Sequence, residues 1–286
     1  MAASLRMVTI NFWGIEPPVN ERLRLAGKQL RELAPDVIGM QEVRPLDGRS
    51  GRTTADVLAE ELGLHRVYEV ALRWNDGDFF AGHPGGEEGL AILSRHPVLE
   101  HRATPRPEAR KTEARILLSA RLQTPAGPVW CHTTHLHYRL DDGIAREHQV
   151  VAIDDVLRGL GGDAPQLLCG DFNATADHDE IRFLRGLHTL AGRRTHYQDA
   201  FLRIHPDDRG ITWSSENELT RPLRSLDIDR RIDFVFVTTR RKDGRGTVLD
   251  AGVALTERGA GGICASDHYA VWADVQIAAE RAPGGR

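Results

Sequence analysis

The sequence predicts an α+β fold in which mixed β-sheets are covered by helices. Short apolar runs with period-two alternation recur along the chain, interspersed with amphipathic stretches of helical period. Some neighbouring runs are joined by a tight turn, as at Pro125-Ala126-Gly127, which predicts antiparallel hairpins; others are separated by a helical stretch, which predicts crossovers. No repeat, low-complexity segment or linker divides the 286 residues, so one domain is expected over 1–286. Its folded part should run from about residue 5 to about residue 278, followed by a frayed Ala282-Pro283-Gly284-Gly285-Arg286 tail.

The elements follow in order. Residues 7–12 alternate, with Val8, Ile10 and Phe12 on one side, and predict a strand. Asn20 is a candidate cap for a helix with Leu23, Ala26, Leu30 and Leu33 on one face and Pro35 as its stop. Residues 36–40 make a short apolar strand ending at Gln41-Glu42. Thr53 or Thr54 can cap a second helix to Leu62, stopped by Gly63. Strands are predicted at 65–72 and 89–94, with a Gly-, Asp- and aromatic-rich loop over 73–88. Strands at 113–123 and 128–136 flank the Pro125 turn. Asp141 or Asp142 can cap a long helix carrying Ile144, Val151, Ile153, Leu157 and Leu160, ended by Gly161-Gly162. A buried strand over 166–169 runs into Gly170-Asp171, and a helix over 177–187 follows. Strands at 231–238, 248–255 and 269–277 complete the chain, after a polar, irregular stretch at 197–229 suited to shaping specificity.

Composition narrows the function classes. Hydrophobic residues at 41% and charged residues at 27% fit an ordinary soluble domain. A net charge of −4 gives no bulk attraction to a polyanion, which leaves only a local patch for nucleic acid. Cys131, Cys169 and Cys264 form no Cys-x-x-Cys pair, so neither a zinc knuckle nor a disulfide framework is indicated; they read as small core residues. The first residues lack the apolar core of a secretory signal, and no window reaches membrane-spanning length, so a cytoplasmic monomer is expected. The basic segments 102–115 and 240–245 lack interleaved aromatics and read as solvated charges. Trp74, Phe79, Phe80 and Trp213 occur in loop-like sequence, as walls of a pocket or as packing.

Chemistry gathers where apolar strands run out. Gly170-Asp171-Phe172-Asn173 offers a glycine for a sharp turn, an acid able to orient or deprotonate water, and an amide able to donate to a phosphoryl oxygen or bind a metal; it also has the form of an Asx turn. Ser266-Asp267-His268 sets an acid beside an imidazole before the last strand, as a metal ligand next to a phosphate contact or as a simple turn. Glu42 at a strand end suits Mg²⁺ or Mn²⁺, which prefer oxygen, or is a plain exposed acid. Asn11 lies between Ile10 and Phe12, where a buried amide must find a partner. Of His132, His135 and His137, one is expected to be functional and the others structural. Asp233 interrupts an apolar strand and needs a partner, either an imidazole or a neighbouring Arg230 or Arg231.

Taken together, Asn11, Gln41-Glu42, Thr134-His135-Leu136, Gly170-Asp171-Phe172-Asn173-Ala174, Arg231-Ile232-Asp233-Phe234 and Ser266-Asp267-His268 resemble, in order, the motifs of the endonuclease/exonuclease/phosphatase superfamily. The resemblance spans nearly the whole chain. It implies a four-layer α/β/β/α sandwich, two mixed sheets face to face with helices outside, and a site at one sheet edge. By motif, Asn11, Glu42 and Asp267 resemble the metal-side residues, with Mg²⁺ or Mn²⁺ as cofactor. Asp171 and Asn173 resemble the pair that positions water and phosphate, and Asp233 with His268 the coupled acid–imidazole pair. His135 resembles the phosphate-contacting histidine of the branch that includes sphingomyelinases, inositol-polyphosphate phosphatases and DNase I. Trp13 stands where exonuclease III-type members carry an acid, which points away from abasic-site repair. The expected activity is metal-dependent phosphoester hydrolysis, on a small phosphorylated metabolite or lipid headgroup, with nucleic acid and a catalytically silent binding module as the alternatives.

Overall fold

The computed structural model describes residues 3–78, 82, 84–106, 113–221 and 229–279. Phe79, Phe80, part of the 102–115 segment, part of the 197–229 stretch and the C-terminal tail lie outside the described residues. Two six-stranded mixed sheets form the centre. The first has the order β11 (Val248–Ala254), β12 (Ala270–Gln276), β1 (Ser4–Asn11), β2 (Val37–Val43), β4 (Gly86–Ser94) and β3 (His65–Trp74). The second has the order β5 (Val98–Pro105), β6 (Ile116–Thr124), β7 (Gly127–His135), β8 (Leu167–Asp171), β10 (Asp233–Thr238) and β9 (Tyr197–Asp199). Only β1–β2 and β7–β8 pair in parallel among these neighbours, each through a helical crossover.

Three apolar clusters make the layers. Between the sheets lie Leu5, Met7, Val37, Ile92, Leu118, Cys131, Cys169, Val235 and Val271. On the outer face of the first sheet, Val8, Ile10, Ile38 and Met40 meet Leu23, Ala26 and Leu30 of α1 (Val19–Leu33) and Leu58 of α2 (Thr54–Leu62). On the outer face of the second, Leu168, Phe234 and Phe236 meet Val150, Ile153 and Leu157 of α3 (Gly143–Leu160) and Ile181 and Phe183 of α4 (Asp179–Leu184). Alternation along β1 sends Leu5 and Met7 inward and Val8, Ile10 and Phe12 to the helices, and this two-sided burial builds the α/β/β/α sandwich.

Caps define the helix ends. Thr53 and Asp56 form a reciprocal capping box at α2, whose Gly63 closes it in the left-handed region. Asp142 caps α3 by accepting from the Ala145 N–H. At α1 the expected Asn20 cap does not form: the helix starts earlier, behind Pro18, without a side-chain cap. Helix α4 is shorter than the predicted 177–187 span and ends before Gly186, whose φ of 76° is left-handed. β3 and β4 extend into the predicted 73–88 loop. The 102–115 segment was expected as solvated charge, but its residues 102–105 complete β5, an edge strand whose exposed residues on both faces give no apolar period. β9 and α5 (Ala200–Ile204) are too short for periodicity to reveal.

The sheets approach each other closely beside Gly39. A Cβ there would lie 2.4 Å from Cys169 Sγ and 2.8 Å from Thr133 Oγ1 on the opposite sheet. Gly39→Ala should therefore cost roughly 1–3 kcal/mol in urea unfolding by overpacking this seam; an unchanged midpoint would show that the sheets are not held this close.

Candidate active site

The inward-facing columns of the central strands start apolar and turn polar at one end. On β1 the column is Leu5, Met7, Thr9, Asn11; on β2 it is Val37, Gly39, Gln41. On β7 it is Cys131, Thr133, His135; on β8, Leu167, Cys169, Asp171; on antiparallel β10, Val237, Val235, Asp233. Register aligns the polar ends: His135 opposite Asp171, Asp233 opposite Asp171, and Asn11 opposite Gln41. Gln41 then stitches the seam, donating 3.1 Å to Thr9 Oγ1 and 2.7 Å to Thr133 Oγ1 across the sheets.

Asp171 is the hub. Its Oδ2 accepts from Asn11 Nδ2 at 3.0 Å and faces His135 Nε2 at 3.5 Å and His268 Nε2 at 3.8 Å. Its Oδ1 accepts the Asn173 backbone N–H at 2.8 Å. Asn173 has a φ of 49° and donates through its own Nδ2 to the Leu136 carbonyl at 3.1 Å, so the loop is both an Asx turn and the wall beside His135. Asn11 Nδ2 also donates 2.9 Å to Glu42 Oε1, while the Trp13 N–H donates 3.1 Å to Asn11 Oδ1 and sets the amide's orientation. Strand alternation would turn Glu42 toward the helices with Ile38 and Met40; a register shift after Met40 and a φ of 54° turn it to the cleft instead. His268 Nδ1 lies 2.9 Å from Asp233 Oδ2, and Trp213 packs edge-on against the imidazole at 5.0 Å. Asp233 thus pairs with an imidazole; Arg231 bonds Asp199. Ser266 Oγ donates its one proton to the Asn11 carbonyl at 2.6 Å and lies 3.1 Å from Asp267 Oδ1, setting that acid beside the end of β1.

Burial sets the charges. Asp171 is pushed up to about 6 by desolvation and by repulsion from Asp233. Desolvation opposes a charge on His268, but the carboxylates of Asp233, Asp171 and Asp267 outweigh it and hold the imidazole protonated well above its ordinary range. His135 is the reverse: desolvation, then the charges of Arg115 and His268, keep it neutral. The two imidazoles flanking Asp171 therefore differ in charge.

A surplus of oxygen acids marks the other side. Asp267 is pushed up to about 7 by desolvation, with Glu42 adding repulsion against the pull of His268. Glu88, on β4, is also pushed up to about 7 by desolvation and by Glu42. Two acids raised by burial and by the carboxylate of Glu42 fit a hard divalent cation with oxygen ligands, so the residues present suit Mg²⁺ or Mn²⁺. Ligand atoms of Asp171, Asp233 and His268 also lie within 4.8 Å of one another, a spacing open to a metal, although His268 and Asp233 are hydrogen-bonded to each other.

Every predicted site residue reaches this cleft. Several neighbours were not singled out. Glu88 fell in a presumed loop, and Arg115 with Glu113 in a presumed solvated segment. Arg22, fully buried, spends its guanidinium on the carbonyls of Phe12, Trp13, Gly14, Glu16 and Ala265, fixing the loops that carry Asn11 and Asp267. Its helical spacing beside Leu23 and Ala26 gave no hint of this. His132 is structural, between Ser119 and Gln166, and buried His137 lies between Glu113 and Asp142. Trp74 packs under Arg44 and donates to the Pro84 carbonyl. The three cysteines are buried and free. No helix among the described residues is long and apolar enough to cross a membrane.

Comparison with known proteins bears on the family and the fold. The family model described as "Endonuclease/Exonuclease/phosphatase family" matches residues 8–268. No curated protein matches. Among solved structures, an endonuclease/exonuclease/phosphatase from Beutenbergia cavernae is 24% identical, with a TM-score of 0.72 over 96% of this chain and 72% of that one. Truncated TDP2 from Caenorhabditis elegans is 17% identical, with a TM-score of 0.71 over 96% and 98%. TDP2 from D. rerio, complexed with single strand DNA product, is 18% identical, with a TM-score of 0.71 over 96% and 99%. At these identities the likeness is one of fold.

The charges predict a pH dependence. His268 binds its proton more tightly in the folded chain, so its contribution is complete below the ordinary imidazole value of about 6.5 and is lost as pH rises through its higher folded value. Asp171 and Asp267, near 6 and 7, likewise keep protons that the unfolded chain has released, and their buried charges disfavour folding above those values. His135 opposes this only below about 6.5, where the unfolded chain would protonate it. From about pH 7 to about pH 9 the Tm of the metal-free protein should therefore fall, and saturating Mg²⁺ should flatten the fall. A Tm that rises over that range would contradict the assignment.

Proposed function

The chain belongs to the endonuclease/exonuclease/phosphatase family, and from that premise we propose that it is a divalent-metal-dependent hydrolase of phosphate esters. One observation carries the reading: Asp171, at the seam of two sheets, contacts Asn11, His135 and His268 within one cleft that also collects Glu42 and Asp267. Glu42, Asp267 and Asn11 would hold the ion, Mg²⁺ or Mn²⁺. When bound, the ion supplies charge for the phosphoryl and leaving oxygens.

The chain's own groups do the rest. Asp171, raised toward neutrality, orients the attacking water and takes its proton. Neutral His135 donates from Nε2, cationic His268 adds positive charge, and Asn173 contributes its amide, all toward the charge that builds on the phosphoryl oxygens. Asp233 keeps His268 in one orientation and favours its protonated form. No covalent protein intermediate is required.

For substrate, the overall charge of −4 and the His135 type of site support a small phosphorylated metabolite or lipid headgroup. A nucleic-acid substrate is the second reading, favoured by the likeness to D. rerio TDP2, whose structure holds a single strand DNA product. A panel of sugar phosphates, inositol phosphates, phospholipids and oligonucleotides with Mg²⁺ or Mn²⁺ separates them. Binding of single-stranded DNA that weakens steeply with salt would favour the second reading. No hydrolysis of any member, with tight binding of a partner, would mark a silent binding module.

Asp171→Ala should lower kcat by about 10²–10⁴-fold with little change in the unfolding midpoint. EDTA should abolish turnover and Mg²⁺ or Mn²⁺ restore it. Activity that survives thorough chelation would refute the metal assignment.

A further inference from the structure

We propose that Arg115, gripped by Glu113, is a positioning residue that fixes His135 as the imidazole with its proton on Nε2, the nitrogen facing Asp171. The catalytic consequence rests on the phosphoesterase reading; the tautomer rests on geometry alone.

Arg115 Nη1 lies 2.9 Å from His135 Nδ1. A guanidinium donates and never accepts, so Nδ1 must be the acceptor and the ring proton must sit on Nε2. That nitrogen lies 3.5 Å from Asp171 Oδ2, on the cleft side of the ring. The other edge of the guanidinium is already taken: Nε and Nη2 donate to Glu113 Oε1 at 3.2 and 2.8 Å, which leaves Nη1 for the imidazole. Glu113 is anchored in turn, accepting the Tyr138 N–H at 3.3 Å on one oxygen and meeting the His137 ring with the other. Both side chains are shielded, Arg115 at 11% and Glu113 at 9% exposure, so solvent competes little for these bonds. The β6–β7 ladder, with Leu117 opposite Thr134, delivers Arg115 to the end of β7 where His135 stands.

The other imidazole makes the point by contrast. His268 presents Nε2 to the same Asp171 oxygen at 3.8 Å, but a carboxylate, Asp233, backs its Nδ1. A carboxylate behind the ring requires a proton on Nδ1; a guanidinium forbids one. The backing groups thus put the proton on Nε2 in His135 and on Nδ1 in His268, and interchange of the two would leave Asp171 between unsuitable partners.

The test is long-range ¹H–¹⁵N NMR of His135 in the metal-free full chain at a fixed, near-neutral pH, for the wild type, Arg115→Gln and Arg115→Lys. The wild type should show the Nε2–H form alone. Arg115→Lys, which keeps a donor, should retain it, and Arg115→Gln, whose amide can donate or accept, should show both tautomers. Arg115→Gln should also lower kcat about 10–100-fold and cause no further loss when added to His135→Ala, because it acts through that ring. A wild-type Nδ1–H form, or an unaltered Nε2–H form in Arg115→Gln, overturns the proposal, as does an equal loss of activity in the His135→Ala background. If no phosphoester is hydrolysed, the function fails while the NMR result still decides the tautomer.

Discussion

The side chain of Asn11 spans the seam between the sheets, donating 2.9 Å to Glu42 on its own sheet and 3.0 Å to Asp171 on the other. A buried amide demands partners, and two carboxylates will not approach without a donor between them. One group answers both needs. The Trp13 N–H locks the amide's orientation, and Ser266 binds the Asn11 carbonyl, so Asp267, just before the last strand, is referred to the same residue. Cleft geometry therefore depends on how closely the two sheets meet, which Gly39 permits and Gln41 fastens.

From this seam the electrostatics divide. Toward the second sheet, burial and Arg115 keep His135 neutral, while Asp233, Asp171 and Asp267 hold His268 protonated against its own burial. Toward the first, burial and the charge of Glu42 raise both Glu88 and Asp267, while buried Arg22 is committed to backbone carbonyls. Such a site is poor at stabilising itself and well suited to a divalent ion and an anionic ligand, a common relation between folding and function.

Much of this was legible in the chain. Columns such as Cys131, Thr133, His135 and Leu167, Cys169, Asp171 announce their register, because a period of two leaves no freedom about which side chains share a face. The strand and helix periods predicted mixed sheets covered by helices; the sandwich and the convergence of the cleft residues came from the family resemblance that the ordered motifs carry. What escaped has physical reasons. Glu42 was named as a candidate, but not its route to the cleft, a bulge and a left-handed backbone that alternation does not encode. β5, exposed on both faces, carries no apolar period, and the basic segment 102–115 that overlaps it lacks interleaved aromatics, so it looked solvated and hid Arg115. Arg22 resembles any helix-surface arginine until the loops it binds are in view.

The most direct measurement is anomalous diffraction from crystals soaked in Mn²⁺. The account predicts a peak ligated by Glu42, on the Asn11 and Asp267 side of the cleft, and its loss in Glu42→Gln crystals. A peak elsewhere with nothing at Glu42, or one that survives the substitution, would contradict a metal-dependent site built across the seam.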